Sequence, residues 1–287
     1  MSDVSAARGK DTSRDGKVDL GDDGDGQQAA PQPKAARAER AAAALERLGL
    51  IFAPVLIAGL AGILAWYYHS LDLENATRQQ RSALAWDGKL YPQMITHIQI
   101  AALSTLLVIV VAVPLGILLT RPALRKVGPP VLTVANAGQA LPAYGLLVIF
   151  LIIAGQGKVT VIYALALYAL LPVLRNTMVG LDAVDQNVIE AGRGMGMTRL
   201  GVLTRIELPL AVPIIVAGVR IAMVINIGMA TLAFLIGGGA LGITISSGLK
   251  LNQDPVLIVG AVLVALVALT FDWIGAVAER ILKPRGV

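Results

Sequence analysis

Six long apolar runs, at about residues 48–68, 95–120, 129–154, 159–175, 208–234 and 255–277, constrain this chain more than anything else in it. A helix of roughly 20 apolar residues crosses about 30 Å of hydrocarbon. The runs therefore predict an all-α polytopic membrane protein with six transmembrane helices. The fourth run is short and has to pack among its neighbours. Composition points the same way: 15% of the residues are charged, 56% are hydrophobic, and mean hydropathy is +0.71. That is too little charge to cover a soluble domain of this length.

Several function classes drop out at once. With no Cys, disulfides and thiolate metal sites are excluded. Two histidines far apart in sequence argue against a His-based metal site, and no metal ligand set is assigned. The net charge of +5 is not a nucleic-acid signal, because the basic residues lie mainly beside apolar runs, where they mark orientation. Arg121, Arg125 and Lys126 follow the second run; Arg175, Arg193, Arg199 and Arg205 follow the fourth; Arg280, Lys283 and Arg285 follow the sixth. If every run crosses once, these clusters and the basic N-terminal flank share one side. The positive-inside rule makes that side cytoplasmic, with both termini inside.

The chain divides into residues 1–46, a disordered and basic cytoplasmic tail; 47–94, a first transmembrane helix and outer loop; 95–280, a five-helix membrane core; and 281–287, a cytoplasmic tail. Residues 1–33 are rich in Asp, Gly and Gln and cannot bury a core. Within them, residues 11–22 match the ligand spacing of an EF-hand loop. An EF-hand needs amphipathic helices on both flanks, and here polar residues precede the loop and a Gly/Asp run follows it. The adopted reading is an acidic tail.

A transporter needs a source of work. Ion-coupled carriers place carboxylates within the membrane, but runs two to five hold no Asp or Glu away from their ends, and Asp272 lies near the cytoplasmic end of the sixth. Gly155-Gln-Gly-Lys158 lacks the upstream Gly and the following Ser or Thr of a phosphate-binding loop. A chain of this kind is not an ATPase and has to borrow work from a partner.

The polar stretch 190–209, EAGRGMGMTRLGVLTRIELP, is where a partner can push. Residues 185–195 predict a short helix along the membrane surface. Gly194, Met195 and Gly196 allow close approach by another protein, and Pro209 suits the first turn of the next helix. Loop and helix should move as one body.

Polar residues inside the runs have two readings: they line a path, or they join helices by hydrogen bonds. His97, Gln99, Ser104 and Thr105 lie on the second run. Asn136, Gln139, Tyr144 and Asn226 are the set assigned to the path. Arg220 is expected to be buried and paired. The uncharged, glycine-dense segment 236–248 predicts a short re-entrant outer turn packed against protein.

Glu190, Ala191, Gly192 and Gly196, with Ile206, Leu208 and Pro209, keep the spacing of the EAA loop, and the segment resembles that of ABC-transporter permeases of the binding-protein-dependent type. Gly192 stands where the family usually has Ala, which predicts a looser short helix. The likeness runs from about His97 to Asp272 through AVPLGILLTR, NAGQALPAYGLL, LYALLPVLRNTMVGLDAVD and ATLAFLIGGGALGITISSGL, and is strongest to the permeases of osmoprotectant importers. It implies a five-helix type I importer core and a quaternary-amine cargo such as glycine betaine, choline, carnitine or proline betaine. It also implies two copies of a separate ATPase that hold ATP and Mg, an extracytoplasmic binding protein, and a second permease copy, identical or related. This chain would bind no cofactor, and Glu190, Ala191, Gly192, Arg193, Gly194, Met195, Gly196, Leu208 and Pro209 would form the ATPase-coupling loop. The rivals are an importer for another amino-acid derivative, an ion-coupled carrier working alone, and a membrane scaffold; the last leaves the loop unexplained.

Overall fold

The computed structural model describes residues 33–283; the acidic stretch with the EF-hand-like spacing lies outside them. The helices in chain order are α1 (Pro33–Ser70), α2 (Arg78–Ala83), α3 (Tyr91–Thr120), α4 (Gly128–Ala140), α5 (Ala143–Ala154), α6 (Lys158–Tyr168), α7 (Leu170–Asp182), α8 (Gln186–Gly194), α9 (Arg199–Val202), α10 (Leu208–Ala230), α11 (Gly242–Lys250) and α12 (Asp254–Leu282). From Glu46 onward the chain forms one compact unit.

Among the described residues, four helical stretches are long and apolar enough to cross a membrane: Gly49–Ser70, Trp86–Thr120, Arg199–Ala230 and Asp254–Leu282. The third and fourth runs, read from sequence as single helices, are instead bent pairs. α4 and α5 meet at 98°, and α6 and α7 at 41°. The sharper break has a local cause. Pro142 forces the residue before it out of helical geometry, and Leu141 is extended at φ −67°, ψ 136°. Counting each bent pair as one span gives the six expected crossings.

α7 sits between α3 and α10, and glycine brings the three together. A Cβ on Gly116 of α3 would fall 2.7 Å from the Thr177 methyl, and one on Gly218 of α10 would fall 2.7 Å from the Asn176 Cβ. Such close crossings are how helices pack where lipid removes the hydrophobic drive.

Ser104, Thr105, Thr177 and Thr270 bond back to carbonyls four residues earlier in their own helices, while three other side chains reach carbonyls that helix geometry leaves orphaned. A proline inside a helix has no N–H to offer the carbonyl four residues earlier. Pro54 thus frees the Leu50 carbonyl, and the Trp273 indole N–H donates to it at 3.0 Å. Pro172 frees the Tyr168 carbonyl, and Gln139 Nε2 donates to it at 2.9 Å. Near the C-terminal end of α10, His97 Nε2 lies 2.9 Å from the Ile227 carbonyl oxygen. An unpaired carbonyl in hydrocarbon costs several kcal/mol, on the order of the desolvation of an amide, so these contacts outweigh ordinary side-chain bonds.

The segment after α10 folds as expected of a re-entrant turn. A short 3-10 stretch (Ala233–Ile236) leads through the glycines into α11, which packs along α12. The Gly157 N–H donates to the Ile236 carbonyl at 2.9 Å, tying this turn to the one between α5 and α6.

Candidate functional site

The polar stretch between α7 and α10 forms an elbow whose stops and starts are written in its caps. The Asp185 carboxylate accepts from the Asn187 N–H at 2.9 Å and opens α8. α8 closes where Gly196 takes a left-handed conformation, φ +84°. The Gly196 N–H donates to the Arg193 carbonyl (2.9 Å) and the Met197 N–H reaches back to Gly192 (3.2 Å). This pair of bonds around a left-handed residue is a Schellman stop. Thr198 Oγ1 then accepts from the Gly201 N–H at 3.1 Å and starts α9. A π-turn, Leu203–Glu207, leads without a break into α10, with Pro209 in the first turn. Arg199–Ala230 is one helical rod of 32 residues, so whatever moves α9 moves α10.

α8 is fastened to the foot of this rod by a small core of Val184, Ile189 and Val202, with Met197, Ile206 and Leu210 around it. Gly192 belongs to that core. The expectation that it loosens the helix is corrected: a Cβ there would meet the Ile206 Cδ1 at 2.6 Å, so Ile206 fills the space an alanine methyl would take. The other face is open. Glu190, Ala191, Arg193, Gly194, Met195 and Gly196 are all exposed, Met195 to 76%. Leu200, on α9, is likewise open at 68%. Leu208 is half-buried and Pro209 exposed at the foot of α10.

An ion pair that sequence reading missed braces the elbow. Arg121, at the end of α3, donates to both oxygens of Glu207, at 3.2 and 2.5 Å. The Glu207 side chain is only 6% exposed. Sequence singled out Arg121 as a marker of sidedness and Glu207 not at all. The available signal was a lone acid set between Ile206 and Leu208, apolar neighbours that leave its charge needing a partner. The neighbouring Arg125–Asp182 pair, 3.7 Å apart with both side chains well exposed, contributes ~0–1 kcal/mol.

Arg220 is paired, as expected. Its guanidinium holds Asp272 through two bonds of 2.6 and 2.8 Å, with Glu279 at 3.7 Å. It is less buried than expected, with a third of the side chain open to a groove of about 450 Å³ between α10 and α12.

The four residues assigned to a path are not brought together. Asn136 and Tyr144 are exposed on the two arms of the broken α4–α5 pair. Gln139 is held by the Tyr168 carbonyl. Asn226 is fully buried. With its amide turned so that both ends are satisfied, its nitrogen donates to the Leu165 carbonyl (3.1 Å) and its oxygen accepts from Thr105 (2.9 Å). Asn226 therefore joins α10 to α3 and α6.

The arrangement is an all-helical one among the described residues, with several helices of membrane-crossing length and an exposed elbow between α7 and α10. A family model described as "binding-protein-dependent transport system inner membrane component" matches residues 112–284. The choline transport system permease protein OpuBB of Bacillus subtilis is 44% identical over 200 residues, 70% of this chain and 91% of the relative. The osmoprotectant import permease protein OsmY of Salmonella typhimurium is 42% identical over 191 residues, 67% of this chain and 81% of the relative. Among solved structures, the inward-facing MetNI methionine ABC transporter aligns with a TM-score of 0.60 over 68% of this chain and 96% of that one. At 23% identity that likeness shows the fold. The chain belongs to the family of binding-protein-dependent transport system inner membrane components.

Proposed function

We propose that this chain is the permease subunit of an ATP-driven importer that carries a quaternary-amine osmoprotectant, such as glycine betaine, choline, carnitine or proline betaine, across the cytoplasmic membrane. The observation that carries the cargo class is the 44% identity to a choline permease over nearly that protein's full length. The elbow supports the mode of energy supply. A separate ATPase, in two copies, holds ATP and Mg and docks against Glu190, Arg193, Gly194, Met195 and Gly196 on the open face of α8. A second permease copy, identical or related, completes the conduit, and an extracytoplasmic binding protein delivers the solute. Both termini of this chain lie on the cytoplasmic side, in keeping with the basic clusters.

Mechanically, closure of the ATPase pair pushes on α8. The core of Val184, Ile189 and Val202 passes the push to α9 and thence along the unbroken rod to α10. Ala191, Gly192, Leu208 and Pro209 hold the joint. Of the path residues, Asn136 and Tyr144 are free to meet solute, whereas Gln139 and Asn226 hold helices in place.

Cells dependent on this importer should take up radiolabelled choline or glycine betaine, and excess unlabelled quaternary amine should suppress the uptake while excess methionine should not. Uptake blocked by methionine alone, or absent for every quaternary amine, would overturn the cargo assignment.

A further inference from the structure

We infer that Arg121 and Glu207 are positioning residues for transport: their ion pair makes the last turn of α3 part of the elbow, so that a push on α8 moves α3 and α10 together. The inference rests on the importer reading above and adds a second output to its elbow.

Three observations carry it. The pair is geometrically over-determined. Arg121 Nε donates to the Ile117 carbonyl at 3.2 Å and one terminal nitrogen reaches Thr120 Oγ1 at 3.2 Å, while the fork grips both Glu207 oxygens. The guanidinium thus caps α3 and holds the elbow in one planar arrangement, which a lysine could not reproduce. The pair sits at the joint itself: Glu207 is the final residue of the π-turn, immediately before α10, and such turns recur at functional sites. Val113 and Ile117 of α3 and Leu203 and Leu208 of the elbow all pack against one shared core of Leu181, Ala211 and Ile215, so apolar packing already joins the two.

That third point decides the role. A buried ion pair is a weak source of stability, because desolvation offsets most of the attraction and an apolar pair of similar volume would serve as well. What the fork adds to the apolar contact is direction. It fixes the rotation of the elbow about the end of α3, which greasy side chains alone would leave free to slide. α3 in turn meets α10 again through Thr105 and Asn226, so the two helices are linked at the joint and further along the span.

The test uses the complete importer, with its ATPase and binding protein, in proteoliposomes, and reads choline taken up per ATP hydrolysed. Glu207→Gln and Arg121→Gln should still insert, retain the ATPase and hydrolyse ATP, but move roughly fivefold or more fewer cholines per ATP, the low end of typical coupling between sites. The exchange variant Arg121→Glu with Glu207→Arg should regain much of the ratio. A stability role alone would lower the amount of assembled importer and leave the ratio untouched. A wild-type ratio in Glu207→Gln overturns the inference, as does an exchange variant no better coupled than the single ones. If the single variants fail to insert, the exchange variant decides: restored uptake supports the pairing, and failure to insert makes the pair a folding contact only. Wild-type vesicles that accumulate no choline would instead count against the importer reading.

Discussion

Beyond the C-terminal end of α10, a Cβ added to Gly242 would lie 1.8 Å from the Thr231 carbonyl oxygen, and one added to Gly248 would lie 2.5 Å from the Leu257 nitrogen. In the elbow that precedes α10, a Cβ on Gly194 or Gly196 would meet nothing within 4 Å. Both regions are rich in glycine, although one is uncharged and the other carries several charges. In the turn after α10 the missing side chains are replaced by the chain's own backbone. In the elbow they leave a surface that none of the described residues fills. The contrast is one of packing: the turn after α10 is closed by its own backbone, and the elbow leaves its glycines in open space, as the proposed docking of an ATPase requires.

The comparison can be broken at four positions, in falling order of effect. Gly242→Ala should be the most damaging, because backbone cannot yield to the new methyl. The loss should exceed the ~1–3 kcal/mol of ordinary overpacking and appear as a large drop in the melting temperature of purified permease. Unchanged melting would mean the turn is looser than its geometry shows. Gly196→Val should leave the protein inserted but abolish uptake. A left-handed residue with a side chain costs about 1–2 kcal/mol, and a branched one cannot hold the Schellman stop, so α8 would lose its angle to α9. Normal uptake would remove the elbow from coupling. Gly194→Ala separates the two kinds of glycine most sharply. Alanine within a helix gains roughly 0.5–1 kcal/mol, so the isolated permease should melt slightly higher while its co-purification with the ATPase weakens. Undiminished co-purification would show that the open face is not the docking face. Gly192→Ala should be nearly silent in stability, since the Ile206 Cδ1 is the free end of a flexible side chain. A marked loss would mean that the small core beneath α8 cannot adjust.

Much of this was legible in the sequence, and what was not has a common physical reason. The spans and the elbow could be read because each depends on local pattern: runs of apolar residues, and a glycine separated by nine residues from Ile206-Glu-Leu-Pro. The fate of the intramembrane polar residues could not be read so far. Pro172 announces that the Tyr168 carbonyl will be orphaned, but nothing near it says that Gln139 will supply the donor. Asn226 is likewise committed by Thr105 and Leu165, both distant in sequence. The 98° break at Leu141-Pro142 had a visible cue in the proline, yet apolar composition continues on both sides and made the run look unbroken. Arg121 and Glu207, 86 residues apart, each carried a local meaning that concealed the shared one.

The most direct trial of the force-transmitting elbow is solute accumulation by purified protein in vesicles, measured first for the chain alone under an ion gradient and then with its ATPase, binding protein and ATP. Choline should concentrate only in the second case. Concentration by the chain alone, with an ion gradient as the sole source of work, would contradict the idea that a separate ATPase drives this permease through its elbow.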